Sequence, residues 1–389
     1  MTLNVAFTAF DVLMVVATVG LLACWLAVLP RKPDMALEAG VRRLLGASLV
    51  LLSLSSIGIL ISRTLELNGG VWGQLFSALP LALKVTHYGH TWVFRIPALA
   101  LLWFGWGWGV RHRNHTWAAW LMVVGVAAIA LTRSETGHPA DHGDFTFAVW
   151  VDWIHLLAGS VWVGSLFGMS LAIFPKLLRR GEVARAESAI IFQRLSTLSG
   201  IALAVILATG IFTAVGELQS WNALWTSSYG RVLDVKIFLI ILMIAFGTHN
   251  RYAKLPRLLH RAGKPVKETP FTKLFGTSKT NASSWNGDAI RSCARAVYVE
   301  SVLGVGVIIA ASILLHGMPP ADMRTMPNMP GMSMPGMSMQ MPRVAAPPVA
   351  SAKPQSSLHL HGGGHTIILP AHGEFRRKYP ELSGAWLRL

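Results

Sequence analysis

Charge is scarce in this chain. Of its 389 residues 13% are charged and 53% apolar, and the mean hydropathy is +0.49. An ordinary soluble domain carries about 25% charged residues, so that class is excluded. Acid is scarcer than base, with 18 Asp and Glu against 34 Lys and Arg, a net charge of +16. The excess does not point to nucleic acid, because the basic residues gather in alternate loops between apolar runs, which is a membrane pattern. Cysteine is nearly absent. Cys24 lies in the first apolar run and Cys293 just before the last; neither faces outward in the topology below, so no disulfide is expected and thiolates are not the outer-face metal ligands. There is no Walker A pattern, no phosphorylated-aspartate ATPase signature and no C-x-x-C. ATP-driven pumping by this chain is therefore not expected, and the chain is read as non-enzymatic.

What is present is a series of long uncharged runs. Eight are near the ~20 residues needed to cross a bilayer: Phe7–Leu29, Leu44–Ile61, Trp92–Val110, Trp117–Leu131, Ala148–Phe174, Leu198–Gly216, Val232–Phe246 and Val297–His316. The first has no basic leader or cleavage site and reads as a retained helix. A further apolar segment, Val71–Val85, is too short and interrupted to span. Loops 30–43, 111–115, 175–197 and 249–296 carry 21 Lys and Arg, whereas 62–91, 132–147 and 217–231 carry four. The first set is expected in the cytoplasm. The expected fold is thus all-α and polytopic, residues 1–316 forming the transmembrane domain, with both termini extracytoplasmic. In the fifth span Gly159, Ser160, Gly164, Ser165 and Gly168 make a side small enough for close approach by another helix.

Residues 317–389 form an outer tail, expected to be largely disordered without ligand. Nine of the chain's 15 methionines lie between Met318 and Met341, in MPPADMRTMPNMPGMSMPGMSMQM. Thioether sulfur is a soft ligand that selects Cu(I) over hard cations. Met326, Met329, Met332, Met334, Met337, Met339 and Met341, spaced by Pro, Gly and Ser, cannot pack as a core but can wrap an ion; the bland alternative is a linker of unusual composition. His359, His361 and His365 follow, and imidazole suits Cu(II) or Cu(I).

The outer face also collects histidines from the membrane domain. His87 and His90 share one outer loop and, at i,i+3, one face if that segment is helical. His138 and His142 share another loop with Glu135, Asp141 and Asp144, His155 lies about two turns into the fifth span, and His316 closes the eighth. Asp152 and His155 also share a helix face. Ionisable groups within a span cost about 2.5–3.5 kcal/mol on insertion scales and are usually paired or functional. A carboxylate bonded to imidazole would raise its basicity as a ligand; an interhelical structural bond is the alternative. Asp11 is a candidate partner from the first span, and Asp234 and Lys236, at the start of the seventh, are expected to pair with their surroundings or to snorkel outward.

Several stretches resemble CopD-type copper resistance proteins. Asp152-Trp-Ile-His155-Leu-Leu-Ala-Gly-Ser-Val-Trp162-Val-Gly164-Ser-Leu is similar to that family's H-L-L-A-x-x-x-W-x-G-G-L helix, with Ser165 in place of the second glycine. Thr136-Gly137-His138, Thr209-Gly210, Thr226-Ser-Ser-Tyr229-Gly230-Arg-Val-Leu233-Asp-Val-Lys236 and Asn250-Arg251 resemble its other short elements. The resemblance covers roughly residues 5–316. It implies an inner-membrane protein that handles copper, importing it toward the cytoplasm, and often working with a periplasmic carrier of the CopC type. Because the sequence starts at the first span, such a carrier is expected to be a separate protein. Two other classes stay open at this point: a haem-containing electron-transfer protein, which needs two facing intramembrane histidines, and a copper-binding sensor or assembly factor without transport.

Overall fold

The computed structural model describes residues 2–31, 33–111, 116–140, 143–218, 222–266, 269–275, 289–315, 317, 357–362 and 365–370; for 2, 3, 116, 138, 182, 289 and the two tail strands it describes the backbone alone. Helices come first: α1 Thr2–Ala23, α2 Met35–Leu67, α3 Leu75–Val85, α4 His87–Val93, α5 Arg95–Arg111, α6 Thr116–Ser134, α7 Phe147–Gly168, α8 Phe174–Arg180, α9 Arg185–Leu218, α10 Asn222–Thr226, α11 Ser228–His249, α12 Leu255–Arg261, α13 Pro270–Leu274 and α14 Ala289–Leu314. Strands β1 Ser357–Gly362 and β2 His365–Pro370 follow. Hydroxyl and carboxylate side chains start several helices by accepting an otherwise unpaired backbone N–H. Asp34 accepts from Ala36 at the head of α2, Thr86 from Gly89 at α4, Thr146 from Val149 at α7 and Ser227 from Gly230 at α11.

Among the described residues eight helical stretches are long and apolar enough to cross a membrane: Asn4–Val28, Met35–Leu67, His87–Arg111, Trp117–Ser134, Phe147–Arg180, Arg185–Leu218, Ser228–Arg261 and Ile290–Leu314. They match the eight expected spans in order. The second, fifth, sixth, seventh and eighth run well past the expected bounds at the basic end, where polar residues continue the helix beyond its apolar part; Arg42 lies 3.6 Å from Glu38, one turn away on α2. π-helical turns at Met169–Ile173 and Asn250–Lys254 carry α7 into α8 and α11 into α12. The non-spanning segment is a 3-10 turn, Trp72–Gln74, followed by the 11-residue α3. At about 1.5 Å per residue that helix is far shorter than a bilayer core.

α1 is the central element, packed on α2, α6, α7 and α14; α5 pairs with α6, α9 packs chiefly on α7 and α11 chiefly on α14. Close α1–α7 contact depends on glycine. A methyl at Gly164 would overlap the Val16 carbonyl, one at Gly20 would overlap Gly164, and one at Gly168 would come 2.7 Å from Cys24 Sγ. The small side of α7 thus lets backbones meet, although Gly159 faces open space.

The chain divides into two compact units, residues 1–327 and 328–389. In the second, β1 and β2 pair antiparallel, His359 opposite Ile368, His361 opposite Thr366 and Gly362 opposite His365. This is an ordered element that the sequence reading did not anticipate. Its basis is the alternation of Leu358 and Leu360, the run Ile367-Ile368-Leu369, and the glycines between them, which together favour a hairpin. Met326, Met329, Met332, Met334, Met337, Met339 and Met341 lie outside the described residues.

Candidate functional site

The capped start of α7 places Asp152 and His155 one and two turns into the membrane. His155 Nδ1 lies 2.9 Å from Thr209 Oγ1 on α9. The threonine proton is already used, since Oγ1 donates to the Val205 carbonyl at 2.7 Å. Oγ1 therefore accepts, Nδ1 carries the hydrogen, and Nε2 keeps its lone pair. Gly210 adjoins the same ring: a methyl there would come 3.2 Å from His155 Cε1. Thr209 and Gly210 thus act as a pair, the hydroxyl orienting the imidazole and the missing side chain giving it room.

Asp152 does not perform the role that its spacing suggested. Among the described residues no hydrogen bond joins it to His155. Its carboxylate instead interacts electrostatically with Lys236 of α11 and Arg133 of α6 and lies beside Ser134, whose hydroxyl makes no well-formed hydrogen bond. Lys236 was expected to pair with its surroundings or to snorkel outward. It is half-buried and interacts with both Asp152 and His155, the first of the two outcomes, since a cation inside a span is stabilised by an anion more than by a long reach to water.

Asp11 is also paired differently. Both of its oxygens accept from the Arg95 guanidinium, at 2.9 Å each, and Ser55 Oγ donates to it at 2.9 Å. Arg95 further donates to Thr132 Oγ1 at 2.9 Å and Ser56 Oγ at 3.1 Å. Asp11 and Arg95 are 0% and 4% exposed at their side chains; bidentate geometry and four hydrogen bonds from the guanidinium are what make such burial tolerable. This cluster ties α1, α2, α5 and α6 together and pairs Asp11 with Arg95 and Ser55 rather than with His155. Sequence reading missed Arg95, although an arginine inside an apolar run was the available signal.

At the Lys/Arg-poor end, α4 does carry both His87 and His90, but the rings diverge. His90 Nε2 donates to the Lys84 carbonyl at 2.7 Å, while His87 Nε2 donates to the Glu135 carbonyl at 3.0 Å. His87 Nδ1 faces Asp144 Oδ1 at 3.6 Å. His87, Glu135 and Asp144 can each present a ligand atom within 4.8 Å of the other two. Beside them is a cavity of about 270 Å³ lined in part by Arg63, Glu66, His87, Tyr88, Glu135 and Thr136. His138 starts a 3-10 turn, His138–Ala140, with its backbone alone described. His142 and His316 lie outside the described residues, and the side chains of His359, His361 and His365 do too.

In the basic half of the bundle a cavity of about 520 Å³ lies among α7, α9, α11 and α14. Trp162, Ser199, Met243, Asn250, Arg251 and Glu300 help line it. Asn250 Nδ2 donates to Glu300 Oε1 at 3.1 Å, and Arg251 donates to the Ser196 carbonyl at 2.7 Å. Asn250 Oδ1 and Ser199 Oγ have no hydrogen-bond partner among the described residues. The same α7 and α9 that hold His155 therefore also border a largely apolar cavity with a few polar groups nearer the other face. The Asn250-Arg251 pair was visible in the sequence; Glu300 and Met243 were not singled out.

Two family models match the chain: "Copper resistance protein D-like, N-terminal domain" over residues 2–146 and "Copper resistance protein D" over 189–314. It is 27% identical over 210 residues to "Copper transport protein CutJ" of Bacillus subtilis, covering 53% of this chain and 38% of that protein. It is 26% identical over 270 residues to "Inner membrane protein YebZ" of Escherichia coli, covering 65% of this chain and 83% of that protein. The chain thus spans little more than a third of CutJ. No solved structure matches it. With eight spans and both family models matched in order, the chain belongs to the copper resistance protein D family of multi-pass membrane proteins.

Proposed function

We propose that this chain is a copper permease of the bacterial inner membrane, moving copper from the periplasm toward the cytoplasm through a site built on His155. One observation carries the reading: an intramembrane imidazole whose Nδ1–H is engaged by Thr209, whose Nε2 is left as a ligand, and whose flank is cleared by Gly210. A metal-binding histidine is normally oriented by donating its other N–H to an acceptor. Copper is the cargo here, and Asp152 with Lys236 sets the charge around it. The loop charges orient the Lys/Arg-poor end outward. On that orientation the outer histidines and the Met/His tail gather copper, Cu(I) at thioethers and either state at imidazoles. The cavity bearing Met243, Asn250 and Glu300 opens on the way to the cytoplasm. A periplasmic carrier of the CopC type is the expected partner outside.

The haem alternative is not favoured. Among the described residues the groups beside His155 are Thr209, Gly210, Ile206 and Lys236 rather than a second imidazole. Copper uptake into proteoliposomes containing the purified full chain tests the proposal. Inward flux supports it; intact copper binding with no flux in either direction reduces the protein to a binder or sensor.

A further inference from the structure

The polar loop cluster outside the intramembrane site has a geometry that a cation would complete. His87 Nε2 faces a backbone carbonyl, that of Glu135, at 3.0 Å. A carbonyl only accepts, so Nε2 carries the hydrogen, and in the neutral ring Nδ1 holds a lone pair. Nδ1 lies 3.6 Å from Asp144 Oδ1, itself an acceptor. The second carboxylate is Glu135, 5% exposed. Its Oε1 accepts the Phe145 N–H at 3.0 Å, and its Oε2 is buried with no hydrogen-bond partner among the described residues. Three groups rich in lone pairs thus converge within 4.8 Å, in a place where a buried, half-paired carboxylate is costly unless a positive charge meets it.

The local backbone holds this arrangement. Phe145 adopts φ +55°, in the left-handed region that non-glycine residues avoid, and its N–H is the group that fixes Glu135. Glu135 follows directly on α6, a rigid helix, and His87 opens α4 under the Thr86 cap. The imidazole's bond to a carbonyl is the outer-shell arrangement that metal-binding histidines use.

We propose that His87 Nδ1, Glu135 and Asp144 form a divalent transition-metal site. One imidazole and two carboxylates make a nitrogen–oxygen set of borderline hardness, suited to Cu(II) and Zn(II) and unsuited to Cu(I), and among first-row divalent ions Cu(II) binds such sets most tightly. The identity of the ion rests on the copper reading above; the existence of the site does not. It divides the outer face by oxidation state, with divalent copper held by the loop and thioether sulfur left for Cu(I).

The test is Cu(II) alone, titrated into the purified full chain under non-reducing conditions. Bound ions are counted, and electron paramagnetic resonance spectra are compared with those of His87→Ala, Glu135→Gln and Asp144→Asn. Each variant is expected to lose one bound Cu(II) per chain, and the difference spectrum from the parent is expected to show coupling to a single nitrogen. Asp144 is well exposed, so Asp144→Asn leaves folding intact even if Glu135→Gln does not, which an unchanged melting temperature checks. Parent-like stoichiometry and spectrum in Asp144→Asn would overturn the site, as would a loss confined to His87→Ala. Copper uptake measured on the same preparations separates this claim from transport: a loop site present in protein that moves no copper leaves the site standing and removes the permease.

Discussion

Thr209 Oγ1 lies 2.9 Å from His155 Nδ1, and this hydroxyl, rather than the Asp152 carboxylate one turn along α7, holds the imidazole. The distinction matters chemically. A carboxylate partner would raise the basicity of the ring strongly, whereas a threonine already donating elsewhere fixes its tautomer and direction without adding charge.

Replacing His155 should therefore remove transport rather than the fold. His155→Ala is expected to abolish copper flux in proteoliposomes with insertion intact. Thr209→Val keeps the shape of the side chain but loses the acceptor, and is expected to lower apparent copper affinity by about 10–100-fold, the range for outer-shell partners of metal-binding histidines. Unchanged flux in His155→Ala would take this ring out of the pathway.

Gly210 gives a complementary test. A methyl at this position would come 3.2 Å from His155 Cε1, a tight contact that displaces the ring. Gly210→Ala is expected to weaken copper uptake with little change in melting temperature; Gly210→Val should weaken it further. Flux in both variants equal to that of the parent would show that the space beside the ring has no role.

The Asp11–Arg95 pair should behave as structure. Removing one partner leaves a buried charge unmet, with an expected cost of about 3–5 kcal/mol. Asp11→Asn and Arg95→Gln should each lower the melting temperature of the detergent-solubilised protein markedly. The double substitution with residues of similar volume, Asp11→Leu with Arg95→Met, should recover much of the loss. Equal melting of single and double variants would count against a coupled pair.

Gly164 is expected to be the least tolerant position of α7. A methyl there overlaps the Val16 carbonyl, and overpacking of a close contact costs typically about 1–3 kcal/mol. Gly164→Ala should lower the melting temperature, while Gly159→Ala, which meets open space, should not. The reverse order would show that α1 and α7 do not approach at Gly164.

The tail should affect affinity more than capacity. Deletion of residues 317–389 is expected to raise the copper concentration needed for half-maximal uptake while sparing the maximal rate. Loss of all uptake would mean that the tail is part of the pathway and not a collector.

The eight spans were legible because each is a local property. An apolar run of sufficient length must satisfy its backbone internally, so it becomes a helix whatever its neighbours are. The charged loops, the methionine repeats and the short elements around His155 and Thr209 could also be read residue by residue. What remained out of reach was the pairing of polar groups. Asp11 meets Arg95 across 84 residues, His155 meets Thr209 across 54, and His87 meets the Glu135 carbonyl across 48. Helix periodicity states which face a residue occupies, not which helix that face will meet. Asp152 and His155 share a face of α7, yet one turns to Lys236 and the other to Thr209.

The sequence by itself therefore determined membrane class, span number, family and the kinds of ligand on offer. Only the tertiary structure decided which groups stand together, because those choices follow from how closely and at what rotation helices pack. Gly20 and Gly164 let α1 and α7 touch, Asp11 pairs with Arg95, and His155 stands against Thr209 and Gly210.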